Sequence, residues 1–143
     1  TLSNVSSLDK AEEIKIFLIA NQAIYVDGLI RVISDHENHN VVACVQPSDS
    51  CAGRFAKHPA DILLIEQAVI EDQLEDFPAK GLFSNFLEKF PDLKIIIFGH
   101  DMAEPFVRTL VGAGARGFID TSSTHEVLNA AIDEVYNGGY WIG

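Results

Sequence analysis

The chain has 143 residues, the length of one domain, with 48% apolar and 22% charged residues, the profile of a globule that can close its own core. Ten Lys and Arg against 21 Asp and Glu leave a formal net charge of −11. That charge argues against this piece gripping a nucleic-acid backbone or an anionic membrane surface.

Residues 1–13 are polar and read as a flexible tail, not a signal peptide. The chain begins with Thr rather than Met, so an excised or processed fragment is expected. Ile14 to Ile19 is a first strand, almost continuously apolar. Ala23 to Asp35 is helical, with Ile24, Leu29, Ile30 and Ile33 as its buried stripe. Val41 to Val45 is the second strand, and Ser48 to Lys57 a weaker helix. Asp61 to Ile65 is the third strand. Residues 67–80 are acidic, broken by Pro78, and carry no clear pattern. Leu82 to Phe90 is a short helix, and Lys94 to Phe98 the fourth strand.

The last third is better punctuated. Asp101 and Glu104 have the spacing of a capped helix start, with Pro105 in the first turn. Gly112 and Gly114 are expected to stop that helix. Arg116 to Ile119 is the fifth strand. Ser123 and Glu126 form a capping box for a helix that ends at Asn137-Gly138-Gly139. Near-continuous apolar strands alternating with helices imply a parallel sheet covered on both faces. The expected fold is therefore α/β, a doubly wound five-stranded sheet of order 2-1-3-4-5, with any site at the carboxyl ends of strands 1 and 3.

Cys44 and Cys51 are the only cysteines and form neither a CxxC pair nor a zinc pattern, which fits a cytoplasmic setting. Cys44, inside an apolar run, reads as a small core residue. His36-Glu37-Asn38-His39 lacks the helical i, i+4 spacing of a zinc motif and reads as a polar turn. His58, His100 and His125 are scattered, with no nucleophile to pair with. Neither a catalytic triad nor a glycine-rich phosphate loop is readable, so no enzyme activity, metal or cofactor is expected.

Several stretches together resemble a response-regulator receiver domain of the kind found in NarL/LuxR-type transcription regulators. They are Ile14 to Gln22 with Asp27-Gly28-Leu29, Ala60 to Glu66, Pro91 to Phe98, and, most specifically, Gly112-Ala113-Gly114-Ala115-Arg116-Gly117-Phe118-Ile119. The resemblance implies a flavodoxin-like receiver over residues 14–138. It also implies that residues 139–143 start a linker to a helix-turn-helix domain outside this chain.

The residues that carry that family's chemistry are replaced. Its strand-1 acidic pair, which holds Mg²⁺ through hard oxygen ligands, matches Ala20 and Asn21. Its phosphoacceptor Asp matches Glu66, whose extra methylene displaces the carboxylate from an in-line geometry. Its phosphoryl-binding Thr or Ser matches Gly99, and its Lys matches Thr121. Such a pattern implies a degenerate receiver that works without phosphorylation.

The expected role is a regulatory and dimerisation module of a transcription regulator. A homodimer is expected, DNA contact would come only through the absent domain, and no membrane partner is foreseen. Phe106, Tyr136 and Trp141 are the candidate apolar anchors of a dimer face. The alternative is a small-molecule sensor using a cleft opened by the small residues Ala20, Gly99 and Thr121. A working phosphoacceptor with an altered site is a third reading. Glu66 is either a charge mimic of a phosphorylated Asp or a residual acid at a strand end. Asp101 and Asp120, with Glu66, are either a displaced cation site or ordinary loop acids.

Overall fold

A computed structural model describes residues 13–21, 24–47, 51–73, 83 and 86–142. The tail expected over residues 1–13, all but its last residue, lies outside them, as do the Ser48 helix start and Pro78. Six strands and the helices between them follow in alternation: β1 (Ile14–Ile19), α1 (Ile24–Asp35), β2 (His39–Val45), α2 (Cys51–Lys57), β3 (Ile62–Glu66), α3 (Gln67–Gln73), β4 (Lys94–Gly99), α4 (Glu104–Ala113), β5 (Ala115–Asp120), α5 (His125–Tyr136) and β6 (Trp141–Ile142). Residues 86–89 add a helical turn before β4.

The sheet is parallel with order β2-β1-β3-β4-β5-β6. The expected order holds for the first five strands. The sixth was not foreseen. Residues 141–142, read from sequence as linker, pair with β5 through Gly117 opposite Trp141 and Phe118 opposite Ile142. Gly138, at φ 98°, makes the turn that returns the chain to the sheet.

Alternation along each strand sends side chains to two cores. Phe17, Leu63, Ile65, Ile95 and Ile97 pack on the face covered by α2, α3 and α4. Ile16, Leu18, Ile62, Leu64, Ile96 and Phe98 pack on the face covered by α1 and α5. With both faces covered, these strands need no polar side, and their sequence shows none. Phe55 of α2 centres the first core. Its ring meets Phe17, Phe86 and Phe90 edge-on, with centroids 5.2, 5.8 and 4.7 Å away.

In the second core α5 approaches β5 closely at Gly117. A β-carbon on Gly117 would lie 3.0 Å from Val135 Cγ2 and 3.1 Å from Ile96 Cγ1, so glycine sets the approach of helix to sheet. In α1 the buried positions are Val26 and Ile33, with Leu29 and Ile30 half-buried. Val26 was missing from the stripe expected from sequence, and the side chain of Ile24 lies outside the described set.

Several local expectations need correcting. Cys44 is exposed, not a core residue. The β1–β2 register skips Val42, so Val41 faces the α1/α5 core while Ala43 faces the other. On that edge strand Cys44, opposite Leu18, looks toward the α1 side near Asp27 and stays exposed. Asp101 caps nothing: its φ is 51°, and the N-cap of α4 is Ala103, without a side-chain bond. Pro105 sets the start there, since it fits only in the first turn. Glu104 instead pairs with Arg108 one turn on. Gly112 lies inside α4, and Gly114 alone supplies the left-handed cap, at φ 118°. The cap of α5 is Thr124, one residue after Ser123, and its hydroxyl accepts from Val127 N–H at 3.2 Å.

Candidate functional site at the carboxyl edge of the sheet

The carboxyl ends of β1, β3, β4 and β5 bring Ala20, Asn21, Glu66, Gly99 and Thr121 to one edge, as the receiver resemblance implied. Glu66 ends β3 and is 8% exposed. Its carboxylate does not face open solvent: Asn21 N–H donates to Oε1 at 2.8 Å. A charge-assisted bond of this kind holds both the loop after β1 and the acid. Ala20 is buried, and its N–H donates to Val45 O at 3.1 Å, so strand 1 offers no carboxylate here.

The next residue, Gln67, fills the space beside Gly99. A β-carbon built on Gly99 would lie 2.5 Å from Gln67 Cβ and closer still to Gln67 Oε1. That oxygen accepts the His100 N–H at 2.9 Å, tying the loop after β4 to the start of α3. Gln67 Nε2 donates to Glu71 Oε2 at 3.4 Å. The cleft that small residues were expected to open is therefore closed at Ala20 and Gly99. Sequence reasoning missed Gln67. Its signal was indirect: a glycine at the end of β4 opposite a long amide just after β3.

Thr121 lies beyond the end of β5, exposed, with its N–H donating to Gly99 O at 2.8 Å. It carries no cation. Before it, Asp120 accepts from Ser122 Oγ at 2.6 Å and from Ser122 N–H at 2.8 Å. Those two bonds, with His100 Nδ1 3.7 Å away, hold the Asp120 carboxyl below the ordinary range. His100 Nε2 faces Asp101 Oδ2 at 3.2 Å. The three acids do not converge: Glu66 turns to Asn21, while Asp101 and Asp120 flank one imidazole. Among the described residues the side chains grouped well enough to hold a metal ion lie elsewhere, at His36, His39 and Asp133.

Thr121 does border a small cleft of about 210 Å³ between α1 and α5, with Tyr25, Leu29, Phe98 and His125 on its walls. A wider groove of about 710 Å³ lies between α4 and the β5–β6 end, lined by Val107, Phe118, Val127, Tyr140, Trp141 and Ile142. Val127, Tyr140 and Ile142 are its exposed apolar residues. The three anchors named from sequence do not share a surface. Phe106 packs half-buried on the α2/α3/α4 face, whereas Tyr136 and Trp141 pack on the α1/α5 face. Arg116 lies 5.5 Å from the Tyr140 ring centroid and steadies the last turn.

No helix among the described residues is long and apolar enough to cross a membrane. No model of a known protein family matches the chain. In sequence it is similar to the oxygen regulatory protein NreC of Staphylococcus epidermidis, at 25% identity over 90% of this chain and 57% of that protein. The chain thus spans little more than half of the curated relatives it matches. In structure it resembles the RcsB response regulator of Salmonella typhimurium, with a TM-score of 0.74 at 18% identity, covering 92% of this chain and 66% of that one. It also resembles the signal receiver domain of the response regulator NarL from Mycobacterium tuberculosis, with a TM-score of 0.69 at 15% identity, covering 89% and 98%. The fold is that of a receiver domain, and the sequence relatives are response regulators.

Proposed function

We propose that this receiver-fold domain is a phosphorylation-independent regulatory module of a NarL/LuxR-type response regulator. The observation that carries the reading is the closed carboxyl edge. Glu66 stands where an acceptor Asp would be and is bonded to Asn21 N–H, and the Gln67 side chain fills the space beside Gly99. A phosphoryl group there would need a metal held by acids on strand 1, where Ala20 and Asn21 stand, and a cation near Thr121. It would also have to displace two hydrogen bonds that already satisfy the edge.

A domain of this kind acts by what it contacts. DNA contact by the whole protein, self-association and a cytoplasmic setting belong to this reading. The exposed apolar residues Val127, Tyr140 and Ile142 are better placed for a partner than Phe106, which the core already uses. A second reading, small-molecule sensing, is supported by the cleft at Thr121, which at about 210 Å³ suits only a small ligand. The test is incubation with acetyl phosphate and Mg²⁺ followed by intact mass measurement under mild conditions. No gain is expected. A phosphoryl adduct on Glu66 would overturn the reading.

A further inference from the structure

At the amino edge of the sheet, away from Glu66, three ligand-type side chains meet. His36 lies in the turn after α1, His39 opens β2, and Asp133 projects from α5. One ligand atom from each lies within 4.8 Å of the others. The His39 side chain is 0% exposed, and Asp133 is half-buried above it. The turn read from sequence therefore does not include His39, which is buried and opens the edge strand β2.

Both ring nitrogens of His39 face oxygen. Nδ1 lies 3.1 Å from Asn129 Oδ1, and Nε2 lies 2.8 Å from Asp133 Oδ1. A neutral imidazole has one N–H. Given to Asn129, it leaves the Nε2 lone pair pointing at a carboxylate oxygen. That length is a hydrogen bond's, so a cation would take the place of the proton between the two atoms and open them to about 3.3 Å, the ligand-to-ligand spacing of a tetrahedral zinc. The Asn129 bond is also the outer support that orients a ligating imidazole.

We propose that His36, His39 and Asp133 bind a transition-metal ion of the zinc class, with solvent completing the coordination shell. Two imidazoles and one carboxylate are borderline donors that suit zinc, whereas Mg²⁺ demands oxygen. The two rings are stacked, with centroids 3.9 Å apart and planes 16° apart. A metal lies in the plane of its imidazole, so His36 must swing off this stack. It gives up that stack and a 3.3 Å bond from Asn38 N–H. The bound ion would pin the α1–β2 turn to α5. This site is separate from the carboxyl edge, and its failure would leave the reading of Glu66 untouched.

The test is calorimetric titration of the full chain with ZnCl₂ slightly above neutral pH, where imidazole is largely unprotonated. Thermal unfolding is followed alongside. One equivalent is expected to bind and to raise Tm by about 3–6 °C when free zinc is roughly tenfold above Kd, while Mg²⁺ does neither. His36→Ala and Asp133→Asn both leave His39 in place, and each is expected to weaken binding by about tenfold or more. His100→Ala, which removes the other imidazole beside carboxylates, should leave affinity unchanged. Zinc binding that survives both ligand variants, or that is lost with His100→Ala, overturns the proposal. So does an absence of zinc binding.

Discussion

Replacing Gly99 by alanine tests the closed edge with the least chemistry. The backbone of Gly99 is not in the left-handed region, so the added methyl meets no conformational penalty of its own. What it meets is Gln67, whose Cβ would lie 2.5 Å away. A β-carbon cannot rotate aside as a side-chain tip can. The start of α3 must therefore shift, at about 1–3 kcal/mol for overpacking. The shift also breaks the bond between His100 N–H and Gln67 Oε1, worth about 0.5–1.5 kcal/mol. The summed cost is about 1.5–4.5 kcal/mol, read from urea unfolding midpoints at constant m. Gln67→Ala keeps the β-carbon and should rescue little. Gln67→Gly removes it, and in that background the Gly99→Ala step should cost less than about 1 kcal/mol. A Gly99→Ala cost below about 0.5 kcal/mol, or the same cost in both backgrounds, would refute the packing argument.

Other outcomes follow from the same geometry. Phe55→Ala removes the ring at the centre of the first core and should cost about 3–5 kcal/mol in denaturant unfolding; a loss under about 1 kcal/mol would mean that core is not closed there. Gly117→Ala should destabilise by about 1–3 kcal/mol, because Val135 and Ile96 already sit at contact distance. Asp120 has a depressed carboxyl, so its contribution is present above the unfolded value near pH ~3.9 and is lost as pH falls through its lower folded value. Asp120→Asn should flatten the fall of Tm across that acidic window, and an unchanged slope would count against the Ser122 bonds.

Much of the fold was readable because apolar content and parallel pairing say the same thing. Leu63 and Ile65 on one side and Ile62 and Leu64 on the other leave β3 no polar face, and the sequence shows that directly. The misreadings come from positions where composition is silent about neighbours. Cys44 has the same apolar context as a buried residue, and only the skipped Val42 and the edge position expose it. Trp141 and Ile142 follow two glycines and so look like a hinge, yet two residues are enough to extend the sheet. Likewise, Asp101 has a capping residue's identity, but Pro105 fixes the helix start two residues later.

The site was half legible. Strand order placed a site at the carboxyl ends of strands 1 and 3, and the receiver resemblance put Ala20, Asn21, Glu66, Gly99 and Thr121 there. That Gln67 fills the Gly99 space could not be read, because it depends on a contact between residues 33 apart from His100 back to α3. His39 is the harder case. Its partners Asn129 and Asp133 lie on α5, about as far along the chain as this domain allows, and the local His-x-x-His pattern carries no helical register to reveal them.

A phosphoryl group on a carboxylate hydrolyses readily, so the most direct test of the closed edge reads the site itself. ¹⁵N-resolved amide spectra of the chain are recorded with and without Mg²⁺ and the phosphoryl mimic beryllofluoride. The expected result is that the amides of Asn21, His100 and Thr121 do not move, since Glu66 already holds Asn21 N–H, Gln67 holds His100 N–H and Gly99 O holds Thr121 N–H. Saturable, Mg²⁺-dependent shifts centred on those amides would show an open acceptor and contradict the central claim.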